Sequence, residues 1–127
     1  MSQNSNIFLD KKILIYGLGK SGSSSFVFLR AKNKVYLFDD NKNIKLKDNY
    51  KKSLISLNQI KKHRFDLIIL SPGIDINKCK LKKFLKKNLK IIYTDLDIFY
   101  SFYKNLCITI TGTNGKSTTC QLLYEVL

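Results

Sequence analysis

Apolar side chains recur along the chain in short unbroken runs. Lys12–Tyr16 (KILIY), Lys34–Phe38 (KVYLF), Asp66–Leu70 (DLIIL), Lys90–Tyr93 (KIIY) and Leu106–Ile110 (LCITI) carry consecutive apolar residues rather than an alternation. Such runs predict strands covered on both faces, as in a parallel sheet. Between them the spacing becomes helical. Ser21–Lys32 carries Phe26, Val27 and Leu29-Arg30-Ala31 near helical spacing. Lys78–Leu89 puts Leu81, Phe84 and Leu85 on one side and Lys82, Lys83, Lys86 and Lys87 around the other. Asp95–Tyr103 repeats Leu96, Phe99, Tyr100 and Tyr103 at i, i+3, i+4 and i+7. Thr94 is an N-cap candidate, with Asp95 and Asp97 in the first turn. Asn41–His63 reads less clearly, as one short strand near Leu54–Leu57 followed by a short helix. Alternating strands and helices predict a doubly wound α/β domain. Lys104-Asn105 marks a boundary between residues 1–105 and 106–127.

The length of 127 residues suits one compact domain of about 100–150 residues. No apolar run approaches the roughly 18–20 residues that span a bilayer. The polar start Met1–Asn6 lacks the basic and apolar blocks of a signal peptide, so a cytoplasmic protein without a membrane partner is expected. The net charge of +14 raises nucleic-acid binding as a function class. Only Arg30 and Arg64 are arginine, however, and arginine is the better bidentate reader of phosphate and guanine. The expectation is lysine-rich composition on solvated faces and no nucleic-acid partner, with a basic binding module kept as an alternative. Cys79, Cys107 and Cys120 lack C-x-x-C spacing and His63 is the sole histidine, so buried neutral thiols are expected over a zinc site. His63, flanked by Lys61, Lys62 and Arg64, is expected in solvent. Tyr93, Phe99, Tyr100 and Phe102 are expected in the core.

Two glycine loops carry the candidate chemistry. Gly17-Leu18-Gly19-Lys20-Ser21-Gly22 follows a strand and opens a helix. Gly17 permits the tight turn, Gly19 lets the backbone approach a pyrophosphate, and Gly22 lets helix and strand pack closely. The helix N-terminus offers free N–H groups to an anion. Asp39, seventeen residues beyond Gly22, stands where a dinucleotide fold places its ribose-binding acid. The second loop, Thr111-Gly112-Thr113-Asn114-Gly115-Lys116-Ser117-Thr118, also joins a strand to a helix. Its Gly-Lys-Ser ending is that of a phosphate-binding loop, with Lys116 on the β/γ-phosphates and Ser117 on Mg²⁺. The early glycine of the standard loop is replaced by Ile110, and Gly112 takes over the turn. Gly19-Lys20-Ser21 repeats the triplet, but the single residue between Gly17 and Gly19 is too little to wrap a phosphate in that manner.

The variant loop Thr111–Thr118, the first loop Gly17–Gly22, the turn Ser71-Pro72-Gly73-Ile74 and the stretch Thr94–Phe99 together resemble the Mur ligases of peptidoglycan synthesis. The similarity is greatest to the branch that adds D-glutamate to UDP-N-acetylmuramoyl-L-alanine. The resemblance implies a Rossmann-like parallel-sheet domain that holds a UDP-sugar, followed by the first strand, P-loop and helix of the ATP-binding central domain. It implies UDP-sugar contacts at Gly17, Gly19, Lys20, Ser21, Gly22, Asp39, Asp40 and Gly73. It implies ATP phosphate contacts at Gly112, Thr113, Asn114, Gly115, Lys116, Ser117 and Thr118, with Lys116 catalytic and Ser117 on Mg²⁺. ATP and Mg²⁺ are the implied cofactors, D-glutamate the second substrate, and a monomer the implied state. The family's catalytic glutamate, histidine and modified lysine fall beyond the P-loop, so the chain is expected to be an N-terminal fragment, inactive alone. Another Mur ligase, one adding L-alanine to UDP-N-acetylmuramate, and a NAD-dependent oxidoreductase fragment stand as alternatives.

Overall fold

The computed structural model describes residues 6–44 and 46–127; Met1–Ser5 of the polar start, and Lys45, lie outside the described residues. Four of the apolar runs become strands: β1 (Lys12–Tyr16), β2 (Lys34–Phe38), β3 (Leu67–Leu70) and β4 (Ile92–Tyr93). They pair in parallel in the order β2-β1-β3-β4. Ile15 of the central strand lies between Leu37 and Ile69. The helices are α1 (Lys20–Leu29), α2 (Asp48–Lys51), α3 (Leu57–Lys62), α4 (Lys82–Lys87), α5 (Asp95–Phe102) and α6 (Lys116–Val126), with a 3₁₀ turn at Leu89–Ile91.

The unbroken apolar runs are explained by burial on both sides. Ile13, Ile15, Val35, Leu37, Leu67 and Ile69 pack on Phe26 and Leu29 of α1, Tyr50 of α2 and Ile98 of α5. Leu14, Tyr16, Phe38, Ile68 and Leu70 face the other way, onto Ile60 of α3 and Leu81 and Leu85 at α4. Period-two alternation thus feeds two cores rather than one core and a wet face.

Local chemistry sets the element ends. The Asn33 side-chain amide donates to the carbonyls of Leu29 (2.8 Å) and Phe8 (2.9 Å), which stops α1 at Leu29 short of the predicted Lys32. Ser56 and Gln59 exchange hydrogen bonds across the first turn of α3. The Asp97 carboxylate accepts the Thr94 N–H at 2.6 Å and its hydroxyl at 2.8 Å, so Thr94 does begin α5. The helix expected over Lys78–Leu89 shortens to Lys82–Lys87. Asn88 closes it, its side-chain amide donating to the Phe84 carbonyl at 2.8 Å. The expected strand near Leu54 reduces to a single parallel bridge with Leu37.

Several expectations are corrected. Leu106–Ile110 is not a strand; it pairs with no strand among the described residues, and Leu106 and Ile108 lie exposed. The aromatic face of α5 is not core: only Ile98 is buried, whereas Phe99, Tyr100 and Phe102 are exposed. Phe102 meets the exposed Phe28 of α1 edge-to-face at 4.9 Å. Tyr93 is half-buried against Phe8, ring centroids 5.4 Å apart. His63 is half-buried rather than solvated, beside Tyr36 and Phe65, with Nδ1 3.3 Å from the Lys12 ammonium. Cys79 is half-buried, but Cys107 and Cys120 are exposed. Among the described residues no helix is long and apolar enough to cross a membrane.

Candidate nucleotide site

The first glycine loop sits at the C-terminal end of the central strand, where open α/β sheets bind ligands. Gly17 adopts a left-handed φ of 92°. Its N–H donates to the Phe38 carbonyl at 2.9 Å, and its own carbonyl accepts the Ser71 hydroxyl at 2.8 Å. A Cβ on Gly17 would stand 2.7 Å from the Ser71 Cβ, and one on Gly22 would stand 1.8 Å from the Gly17 carbonyl oxygen. These two glycines therefore lock loop, helix and the Ser71 turn together. Gly19 differs: a Cβ there meets nothing within 4 Å. It is exposed and precedes α1 without a side-chain cap, so the first-turn N–H groups have no capping side chain. Lys20 is exposed and Ser21 half-buried in that first turn.

Asp39 is drawn into the loop itself. Oδ2 accepts the Leu18 N–H at 2.6 Å and Oδ1 the Asn41 N–H at 2.8 Å. Its carboxylate braces the loop and retains lone pairs for a ligand hydroxyl. Asp40 turns toward Lys80, whose N–H reaches Oδ2 at 3.3 Å and whose ammonium reaches the Asp40 carbonyl at 2.7 Å. Gly73 is exposed with open space at its Cβ position. A cleft of about 800 Å³ opens past the end of β2, lined by Phe38, Asp39, Asn41, Lys42, Ile44 and Lys80 among others. It adjoins the site through Asp39; Gly17, Gly19 and Gly73 are not part of its wall. Burial first, and then the Asp40 carboxylate and Cys79 thiol beside it, hold the Tyr16 phenol well above its ordinary pKa.

The second loop is built differently. Gly112 and Gly115 have φ of 149° and 77°, and Gly115 opens α6 without a side-chain cap. The Lys116 ammonium donates to the Gly112 carbonyl, and the Thr119 hydroxyl to that of Gly115 at 2.9 Å. Residues 111–118 are all exposed. Uncapped N–H groups, one ammonium and the hydroxyls of Ser117 and Thr118 form a donor set that fits phosphate oxygens and a magnesium ion.

The structure thus brings Gly17, Gly19, Lys20, Ser21, Gly22, Asp39 and Gly73 to one end of the sheet. Three further residues there escaped the sequence reading as contributors. These are the Ser71 hydroxyl, whose only trace was the Ser-Pro-Gly turn, and Tyr16 and Lys80, which gave no signal.

The family model for "Mur ligase MurD-like, N-terminal domain" matches residues 11–93. The chain belongs to this Mur ligase family. It is 38% identical over 127 residues to the UDP-N-acetylmuramoylalanine–D-glutamate ligase of Rickettsia prowazekii, covering 96% of the chain and 28% of the relative. It is 36% identical over 117 residues to the ligase of the same name from Aquifex aeolicus, covering 91% and 25%. That from Lachnoclostridium phytofermentans is 34% identical over 130 residues, covering 94% and 28%. The chain thus spans about a quarter of these relatives' length. The Mur ligase match favours a ligase origin over the oxidoreductase and basic-module readings. It also agrees with the α/β, all-parallel sheet.

Proposed function

We propose that this chain is the UDP-sugar-binding part, with the opening of the ATP-binding part, of an ATP-dependent ligase that adds D-glutamate to UDP-N-acetylmuramoyl-L-alanine. The observation that carries the reading is the open Gly19 over the uncapped start of α1. In this reading the UDP pyrophosphate lies on the first-turn N–H groups, with Lys20 and Ser21 beside it. Gly73 and Asp39 line the nucleoside side. Residues 1–105 form the sugar-nucleotide domain and 106–127 begin the next.

At the second loop Gly112–Thr118 hold the ATP phosphates, and Ser117 reaches Mg²⁺. The reaction proposed for the whole ligase moves the γ-phosphoryl of ATP to the substrate carboxylate, giving an acyl phosphate and ADP. The amine of D-glutamate then attacks that carbonyl and phosphate leaves. Lys116 neutralises charge on the phosphoryl in transit. The groups that activate the amine are assigned to other parts of the ligase, so this chain alone binds without turnover, as a cytoplasmic monomer.

Titration calorimetry of the chain with UDP-N-acetylmuramoyl-L-alanine, NADH and generic duplex DNA tests the reading. Saturable binding of the UDP-sugar alone is expected. Binding of NADH without the UDP-sugar overturns it, as does steeply salt-dependent binding of DNA alone.

A further inference from the structure

The adjacent acids that follow β2 turn to opposite sides. Asp39 braces the glycine loop, whereas Asp40 faces the segment that follows β3. With Oδ2 on the Lys80 N–H and Oδ1 shut off from solvent, the Asp40 carboxylate is engaged inside the protein. On that inner side lies Tyr16, fully buried at the end of β1, its hydroxyl beside the Asp40 carboxyl and the Cys79 thiol. Among the described residues neither the Tyr16 hydroxyl nor Asp40 Oδ1 has a partner in hydrogen-bond geometry. Two buried polar atoms left unpaired side by side are costly, and a small closure joins them. The phenol is the donor, because its environment keeps it protonated.

This cluster lies where the loops following all three main strands converge. Segment 71–80 is pinned at one end by the Ser71 hydroxyl on the Gly17 carbonyl, at 2.8 Å. At the other end it is pinned by Lys80 on Asp40. Gly73 lies between the two pins. The Ser71–Ile74 turn that carries Gly73 is held against Gly17, and the second pin ties the far end of the segment to the Asp40 side of the pocket. We propose that Tyr16 and Asp40 form a buried positioning pair, clasped from outside by Lys80, that sets the spacing of the loops around the nucleotide-sugar pocket. The inference rests on the UDP-sugar reading above. In this proposal Asp40, which the resemblance implied as a UDP-sugar contact, acts with Tyr16 through the loops rather than on the ligand itself.

The test is calorimetric titration of UDP-N-acetylmuramoyl-L-alanine into the full chain and its variants. Tyr16→Phe and Asp40→Ala are each expected to weaken binding about tenfold, the size expected when one partner of a buried polar pair is removed. The double variant is expected to be no weaker than the single ones, because the two act as a unit. Asp40→Asn, which can still accept from Lys80 and face the phenol, restores most of the affinity. Lys80→Met, at an exposed position, weakens binding about threefold and carries the test with Tyr16→Phe should Asp40→Ala not fold. Wild-type affinity in Tyr16→Phe beside a large loss in Asp40→Ala overturns the proposal, because Asp40 then contacts the ligand directly. Lowered melting temperatures with unchanged affinities also overturn it, because the pair is then only a structural tie. A wild-type chain that binds NADH but no UDP-sugar removes the functional reading, and this inference with it.

Discussion

The two glycine loops share a local grammar and differ in what surrounds them. Both carry glycines with positive φ and a lysine at the opening of a helix. At the first loop Gly17 and Leu18 are held by Phe38, Asp39 and Ser71, at or just past the ends of β2 and β3. At the second, the hydrogen bonds of Lys116 and Thr119 stay within four residues, and residues 111–118 are all exposed. The comparison teaches that strand–glycine–helix patterning specifies a turn, but a sheet beneath it is what makes the turn rigid. Leu106–Ile110, apolar enough for a strand, pairs with no strand among the described residues and stays irregular.

The largest contrast is expected between cores. Leu14→Ala removes a fully buried side chain and should cost about 2–5 kcal/mol in urea unfolding. Leu122→Ala in exposed α6 should stay within about 0.5 kcal/mol. Equal effects would break the distinction. Next come the glycines. Gly22→Ala forces a Cβ against the Gly17 backbone and should cost about 1–3 kcal/mol. At Gly115 there is open space and only the left-handed φ to strain, so Gly115→Ala should leave the main unfolding transition unmoved while weakening ATP binding. A smaller effect concerns Tyr16. The unfolded chain releases the phenol proton near the ordinary pKa of 10.0, and the folded chain holds it to higher pH. Stability is therefore intact below that pH and falls as pH rises past it. Urea midpoints measured from pH 9 to pH 11 should fall less steeply in Tyr16→Phe than in the wild type; parallel slopes would contradict the burial of that hydroxyl.

The sheet was legible because burial on both faces leaves a trace that needs no context. Lys12–Tyr16 and Lys34–Phe38 match their predicted ends residue for residue. Helical period was less informative about burial than about shape. Leu96, Phe99 and Tyr100 do share a helix, but the pattern cannot say that their face lies open. His63 looked solvated from its basic neighbours, yet Tyr36 and Phe65, distant in sequence, half-cover it. The loop glycines Gly17, Gly19 and Gly22 do stand together at the end of the central strand. The packing of Gly17 and Gly22 and the openness of Gly19 follow the expected division, but the Ser71 side chain they pack against could not be read from the sequence. Tyr16, Asp40 and Cys79 were illegible as a cluster because only the strand order β2-β1-β3 brings them together.

The central claim is that the open backbone at Gly19 receives a pyrophosphate. Gly19→Val tests it most directly, because a Cβ there meets no protein atom within 4 Å and the fold should be unaffected. Calorimetric titration with UDP-N-acetylmuramoyl-L-alanine should show affinity lower by at least about tenfold in the variant, since the valine occupies the approach to the helix N-terminus. Wild-type affinity in a correctly folded Gly19→Val chain would contradict the account.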